Sequence, residues 1–289
     1  MYISEKSKVV VQGITGGQGS FHTKLMKEYG TDIVAGVTPK KGGQEIHGIP
    51  VFNTVQEAKD ATGCDTSIIF VPARFTYGAA REAILAKIHL ICIITENVPV
   101  FDMLKLVELA KKHDVHLVGP NCPGMMVPDK IKLGIMPGNL AHYGDVAVVA
   151  KSGTLSYEIT KAIGNAGIGV RVYVGIGGDP VRGTTMIDAA KYYNEDPETK
   201  ILVLIGEIGG DEEELTAAFL KVHGKKPVVA YIAGKSAPEG KRMGHAGAII
   251  SGDVGTAIGK IKALEEAGAL IAETPWDVPK LLQKIRDSQ

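Results

Sequence analysis

Short β-branched runs recur along the chain, each followed by glycine or proline and then by a longer segment with helical spacing. This alternation predicts strands joined by crossover helices, the pattern of parallel α/β sheets. In the first half the predicted strands are VVVQGI at 9–14, DIVAGV at 32–37, SIIFVP at 67–72, HLICIIT at 89–95 and VHLVGP at 115–120. Segments such as SFHTKLMKEYG, TYGAAREAILAKI and VFDMLKLVELAKKH read as amphipathic helices between them. In the second half the runs are VAVVA at 146–150, VRVYVGI at 170–176, ILVLIGEI at 201–208, PVVAYIAG at 227–234 and a weaker ALIAE at 269–273. The stretch from Cys122 to Asp145 holds three prolines and four glycines with no clean period, so the boundary is expected inside it. The expected organisation is a first domain over 1–122, a connecting segment over 123–145 and a second domain over 146–289, each a doubly wound sheet. In such sheets ligands sit beyond the carboxyl ends of the strands, which directs attention to the loops there.

Composition narrows the choice. A chain of 289 residues with 45% hydrophobic residues can bury a substantial core, and its length suits two medium domains. Thirty-two basic residues balance 32 acidic ones, so no net field draws the molecule to nucleic acid or an anionic membrane. No apolar run approaches the roughly 18 residues that span a bilayer, and Met1 to Lys8 lacks an apolar export segment. Cys64, Cys92 and Cys122 cannot all pair within one chain, and the first two lie in or beside apolar stretches. These features predict a cytoplasmic protein without nucleic-acid or membrane partners. No H-E-x-x-H, CxxC pair, EF-hand loop or G-x-S-x-G occurs, so no metal ligand is assigned.

The first strand runs into GITGGQG at 13–19 and then a helix. Glycines let the backbone approach a phosphate, which the free amides and about half a positive charge at a helix N-terminus favour. A tight strand-to-helix turn explains the same residues, because Gly13, Gly16 and Gly19 depart from G-x-G-x-x-G. The second strand ends in TPKKGG, with Lys40 and Lys41 where an NAD site wants an acid. Two cations suit a phosphorylated ribose, as in NADP or the 3′-phospho-ADP of coenzyme A; a solvated turn is the alternative.

In the second half, GIGGDP at 175–180, GEIGG at 206–210 and the stretch after Gly234 are glycine-rich loops. His245 lies in GKRMGHAGA, where small neighbours expose its ring as a nucleophile or base at neutral pH. Glu207 is placed to accept its second ring N–H. KSGT at 151–154 opens another helix, where Ser152 and Thr154 read either as caps or, beside a nucleophilic histidine, as part of a phosphoryl-holding turn. The GKS at 234–236 mimics a P-loop, but Val229 stands where that loop requires glycine. A phosphoryl donor must then come from elsewhere.

GITGGQGSFH, AGVTPKKGG, ITENVP, GPNCPG, KSGTLSYE, GIGGDP, GEIGG and YIAGKSAPEGKRMGHAGAII occur here in one order, and with them the chain resembles the alpha subunits of succinyl-CoA synthetase, or succinate–CoA ligase. The resemblance runs from about Lys8 to the last helix. It implies an N-terminal Rossmann-like CoA-binding domain, a flavodoxin-like ligase domain, and a beta subunit whose ATP-grasp fold binds ATP or GTP with Mg²⁺, in an αβ or α₂β₂ assembly. It implies a transiently phosphorylated His245 supported by Glu207, a phosphate-holding turn at Ser152, Gly153 and Thr154, and a substrate-binding Tyr157. CoA contacts map to Thr15, Gly16, Gly17, Gln18, Lys41, Ile94, Thr95 and Glu96. The implied reaction joins succinate and CoA through succinyl phosphate, or runs in reverse in the tricarboxylic acid cycle; malate or another acid is the alternative substrate. Asn97 and Val98 depart from the Gly and Ile of relatives, and Lys40 is an added cation. Cys122 falls near the expected CoA thiol and is taken as a bystander. The rivals from other classes are an NADP-dependent oxidoreductase, which leaves the second half's loops unused, and a CoA-responsive regulatory module, which needs only the first domain.

Overall fold

The computed structural model describes residues 3–238, 240–250, 252 and 254–288. It resolves into two compact units, Met1–Met136 with Val181–Thr184, and Pro137–Pro180 with Thr185–Gln289.

The first unit begins with β1 (Val9–Gln12), α1 (Gly17–Glu28) and β2 (Ile33–Val37), followed by a short pair, β3 (Glu45–Ile46) and β4 (Ile49–Phe52). Then come α2 (Val55–Thr62), β5 (Thr66–Ile69), α3 (Ala73–Leu85), β6 (Leu90–Ile93), α4 (Val100–His113) and β7 (His116–Val118). The strands line up as β3-β4-β2-β1-β5-β6-β7, with every pairing parallel except β3 with β4. Without the β3 edge this is the Rossmann order, whose direction reverses between β1 and β5. Strands buried on both faces are continuously apolar, which is why VVVQ and LICI read as runs rather than alternations. Val10, Ile69, Ile91 and Ile93 pack with Ala80, Ile84, Met103 and Leu106 of α3 and α4 in one core.

The stretch at 123–145 is not the irregular connector that its composition predicts. β8 (Gly124–Val127) and β9 (Ile131–Gly134) form an antiparallel hairpin, and Tyr143 to Asp145 already belong to the next strand. Gly124 and Gly134 face one another so closely that a Cβ on Gly124 would lie 2.1 Å from the Leu133 carbonyl oxygen. Glycine is demanded there by strand approach, so the composition that suggested a loop belongs to a pairing.

The second unit contains β10 (Tyr143–Ala150), α5 (Gly153–Asn165), β11 (Val170–Gly175), α6 (Met186–Glu195), β12 (Ile201–Glu207), α7 (Glu212–His223), β13 (Val228–Ala233), α8 (Ala257–Glu266), β14 (Leu270–Ile271) and α9 (Asp277–Asp287). Its parallel strands run β14-β13-β12-β10-β11. That is the flavodoxin-like order, with the reversal between β10 and β12. Val146 to Ala150 and Ile201 to Ile205 are buried along their whole length, again as continuous apolar runs. The chain is therefore α/β throughout, a Rossmann-like sheet followed by a flavodoxin-like one. Among the described residues, no helix is long and apolar enough to cross a membrane.

Candidate active site

Each sheet presents one loop cluster at its reversal point. In the first unit, Gly13 takes φ +86°, and its N–H donates to the Val37 carbonyl. Gly19 packs so tightly on this turn that a Cβ would lie 2.1 Å from the Gly13 oxygen. Gly16 caps α1 without a side chain, so Gly17 and Gln18 begin the helix with backbone amides at a positive dipole end. Thr15 donates its hydroxyl to Thr38 at 3.2 Å, which joins the β1 and β2 loops. Lys41 closes a turn onto the Thr38 carbonyl beyond β2 and is exposed.

Ile94, Thr95 and Glu96 follow β6, the strand on the far side of β5 from β1. Thr95 donates to the Val71 carbonyl at 2.7 Å, and Val71 in turn lies against Gly13. The three loops therefore form one cluster, with Lys41 reached through Thr38. Asn97, the departure from glycine, adopts φ +60°. Asn is among the few side chains that tolerate that left-handed conformation, so this turn forms without glycine. Cys122 is buried, its thiol donating to the Ile93 carbonyl at 3.3 Å and lying 3.8 Å from the Cys92 sulfur. Its hydrogen bond with Cys122, followed by burial, pushes the Cys92 thiol well above its ordinary range, so that thiol stays protonated.

In the second unit, Ser152, Gly153 and Thr154 lie at the end of β10, Gly177 and Gly178 beyond β11, and Glu207 at the last position of β12. Ser152 is the residue before α5, yet its hydroxyl makes no capping bond, unlike Thr185 before α6 and Thr256 before α8. Ser156 ties the first turn down from inside, donating to the Gly153 carbonyl at 2.6 Å and sharing a hydrogen bond with buried Tyr173 at 2.7 Å. Tyr157 is half-buried on the same helix, its ring 6.2 Å from that of Tyr173.

His245 meets Glu207: Nδ1 lies 2.8 Å from both carboxylate oxygens. The histidine side chain is 26% exposed and the glutamate 11%, so the ring is reachable while its partner is largely shielded. An ionised carboxylate only accepts hydrogen bonds, which puts the neutral ring's proton on Nδ1 and its basic lone pair on Nε2. Gly178 makes room for the ring, since a Cβ there would lie 2.2 Å from His245 Cγ. Gly209, at φ +91°, admits the loop that carries the histidine, because a Cβ would lie 1.9 Å from the Gly247 oxygen. Both glycines stand in motifs that the sequence singled out, but their partners were not visible in it. Glu213 and Lys260, buried beneath Glu207, were missed altogether.

A family model described as CoA binding domain matches residues 4–97, and one described as CoA-ligase matches 149–270. A succinate–CoA ligase [ADP-forming] subunit alpha of Staphylococcus aureus is 52% identical over 282 residues, covering 98% of this chain and 93% of the relative. The protein of the same description from Staphylococcus epidermidis is 52% identical over 278 residues, with 96% and 92% covered. Among solved structures, ATP citrate lyase from Methanothrix soehngenii, in complex with citrate and coenzyme A, superposes with a TM-score of 0.91 at 25% identity. That match covers 99% of this chain and 51% of the lyase, so the chain spans about half the length of that solved relative.

Proposed function

We propose acid–CoA ligation through a phosphohistidine for this chain, which belongs to the family of succinate–CoA ligase alpha subunits. The observation that carries the reading is the His245–Glu207 pair, its ring partly exposed and its carboxylate largely shielded at the reversal point of the ligase sheet, beside a helix start whose serine leaves the amides uncapped. His245 Nε2 attacks the terminal phosphorus of a nucleoside triphosphate; the N–P bond forms as the bridging P–O bond breaks and the diphosphate leaves. Glu207 keeps the proton on Nδ1 and offsets the positive character that the ring gains. The first-turn amides of α5, with Ser152, Gly153 and Thr154, hold the phosphoryl oxygens.

A succinate carboxylate then takes the phosphoryl group, the N–P bond breaking as the O–P bond of succinyl phosphate forms, with Tyr157 against the acid. The CoA sulfur attacks the acyl carbon, the C–S bond forming as the C–O bond to phosphate breaks, and the thiol's proton ends on the departing phosphate. Splitting one hard condensation into these steps is the benefit of a covalent carrier. In the first unit Thr15, Gly16, Gly17 and Gln18 cradle CoA phosphates, Lys41 pairs with its phosphorylated ribose, and Ile94, Thr95 and Glu96 border the pantetheine arm. A beta subunit supplies the nucleotide site with Mg²⁺, in an αβ or α₂β₂ assembly in the cytoplasm. A relative described as ADP-forming supports ATP over GTP.

Two measurements test this reading. CoA at about 100 times its Kd is expected to stabilise the chain alone by about 2.7 kcal/mol, whereas NADPH leaves its melting unchanged. Turnover is expected only with the partner subunit added, with succinate preferred in a panel that includes malate and citrate. Protection by NADPH alone would return the oxidoreductase reading, and a preference for malate would move the chain to another acid.

A further inference from the structure

Glu213 is a fully buried carboxylate on α7 that the reaction scheme above does not use. Lys151, the last residue before the Ser152 turn, straddles it, with Nζ 2.8 Å from Oε1 and 2.9 Å from Oε2. Lys260 of α8, itself fully buried, also bonds to Oε2. Glu212 lies 3.5 Å from the Lys151 ammonium, and Glu214 3.5 Å from that of Lys260. Burial opposes ionisation of Glu213, but the two ammonium groups outweigh it and hold the carboxyl below its ordinary range. Charged clusters of this kind are poor sources of stability, because desolvation consumes most of the Coulombic gain and apolar packing does as well.

Further hydrogen bonds join the cluster to main chain around Glu207. The Glu207 N–H donates to Glu213 Oε1 at 3.1 Å, and Lys260 Nζ donates to the Gly209 carbonyl at 2.9 Å. The Lys151 N–H donates to the Ile205 carbonyl at 3.1 Å. Gly206 leaves space for this arrangement, since a Cβ there would lie 2.5 Å from Glu213 Oε1. The side chains thus hold backbone at Glu207 and at Gly209, at and just after the carboxylate that meets His245, and Lys151 carries the same cluster to the start of α5.

We propose that Glu213 is a positioning residue for phosphoryl transfer, acting with Lys151 and Lys260 to fix the Glu207 carboxylate against His245 and to join that pair to the Ser152 turn. The proposal rests on the phosphohistidine reading. Displacing a reacting group by about 1 Å can cost on the order of 100-fold in rate, and loss of this grip has that character.

The test compares native chain and Glu213→Gln in complex with the partner subunit, using γ-labelled ATP and rapid quenching, with ¹⁵N NMR of the histidine ring. The amide matches the carboxylate in shape but puts a donor where two ammonium groups already donate. Formation of phosphohistidine is expected to slow roughly 10- to 100-fold. The KM for CoA should stay unchanged, and the ¹⁵N signals of His245 should depart from the Nδ1–H pattern. Native labelling rates with native ring signals, even alongside a lowered Tm, would reduce Glu213 to a structural role and overturn the proposal. Where Glu213→Gln fails to fold, Lys260→Met removes both the donor to the Gly209 carbonyl and one ammonium partner of Glu213 and is read in the same way; native rates and ring signals there overturn the proposal equally. Absence of label in the native complex instead overturns the phosphohistidine reading itself, so the two failures are distinct.

Discussion

Substituting Asn for His245 is expected to abolish uptake of label from γ-labelled nucleotide in the assembled complex and to lower turnover by about 10⁴-fold or more, the scale seen when a covalent nucleophile is removed. Asn is smaller and polar, occupies a site with part of its surface in solvent, and its side-chain amide can offer an N–H to Glu207 in place of the lost Nδ1–H. The variant should therefore fold and still bind CoA, because every residue assigned to CoA lies in the first unit. This separation makes the result decisive: thermal protection by CoA persists while the phosphoenzyme vanishes. Undiminished labelling of His245→Asn would defeat the assignment and would turn attention to another nucleophile.

Several parts of this arrangement were readable from residues alone, for a definite physical reason. Doubly wound sheets bury both faces of their central strands, so VVVQ, LICI and ILVLIGE announce themselves as apolar runs, and their glycine endings mark where loops come closest to ligands. His245 stood out among eight histidines because glycines flank it. The β3–β4 pair was invisible because two- and four-residue strands carry too little periodicity. Its turn, His47 at φ +55° and Gly48 at φ +78°, uses His where Asn or Asp is the usual signal.

Glu213 and Lys260 were hidden for a different reason. DEEEL at 211–215 reads as the acidic first turn of a helix, and a lysine in the middle of a helix reads as a solvated residue. Only the packing of α7 against α8 brings both into the interior. Local pattern records which face of an element is apolar; it does not record a charge buried because another element pairs with it. The same limit applied at 123–145, where glycines required by the close approach of two strands were indistinguishable from glycines of a loop.

Glu207→Gln is the second substitution with a large expected effect, and its direction follows from the tautomer. The native carboxylate accepts from Nδ1 with both oxygens at 2.8 Å and can donate nothing when ionised. A glutamine offers the ring either an amide oxygen or an amide N–H. Where the N–H faces Nδ1 it favours the proton on Nε2, which removes the lone pair that attacks phosphorus. Where the oxygen faces Nδ1 the tautomer is preserved, but the neutral amide no longer offsets the positive character of the ring during transfer. Both orientations slow phosphorylation, and the loss of one preorganised electrostatic partner is worth about 10²–10³ in rate. Glu207→Asp keeps the charge but shortens the reach, so it should recover part of that loss, whereas a steric role alone would favour Gln over Asp. A single-turnover series in which Gln matches the native rate would remove Glu207 from the chemistry, leaving His245 to be activated by the α5 N-terminus alone.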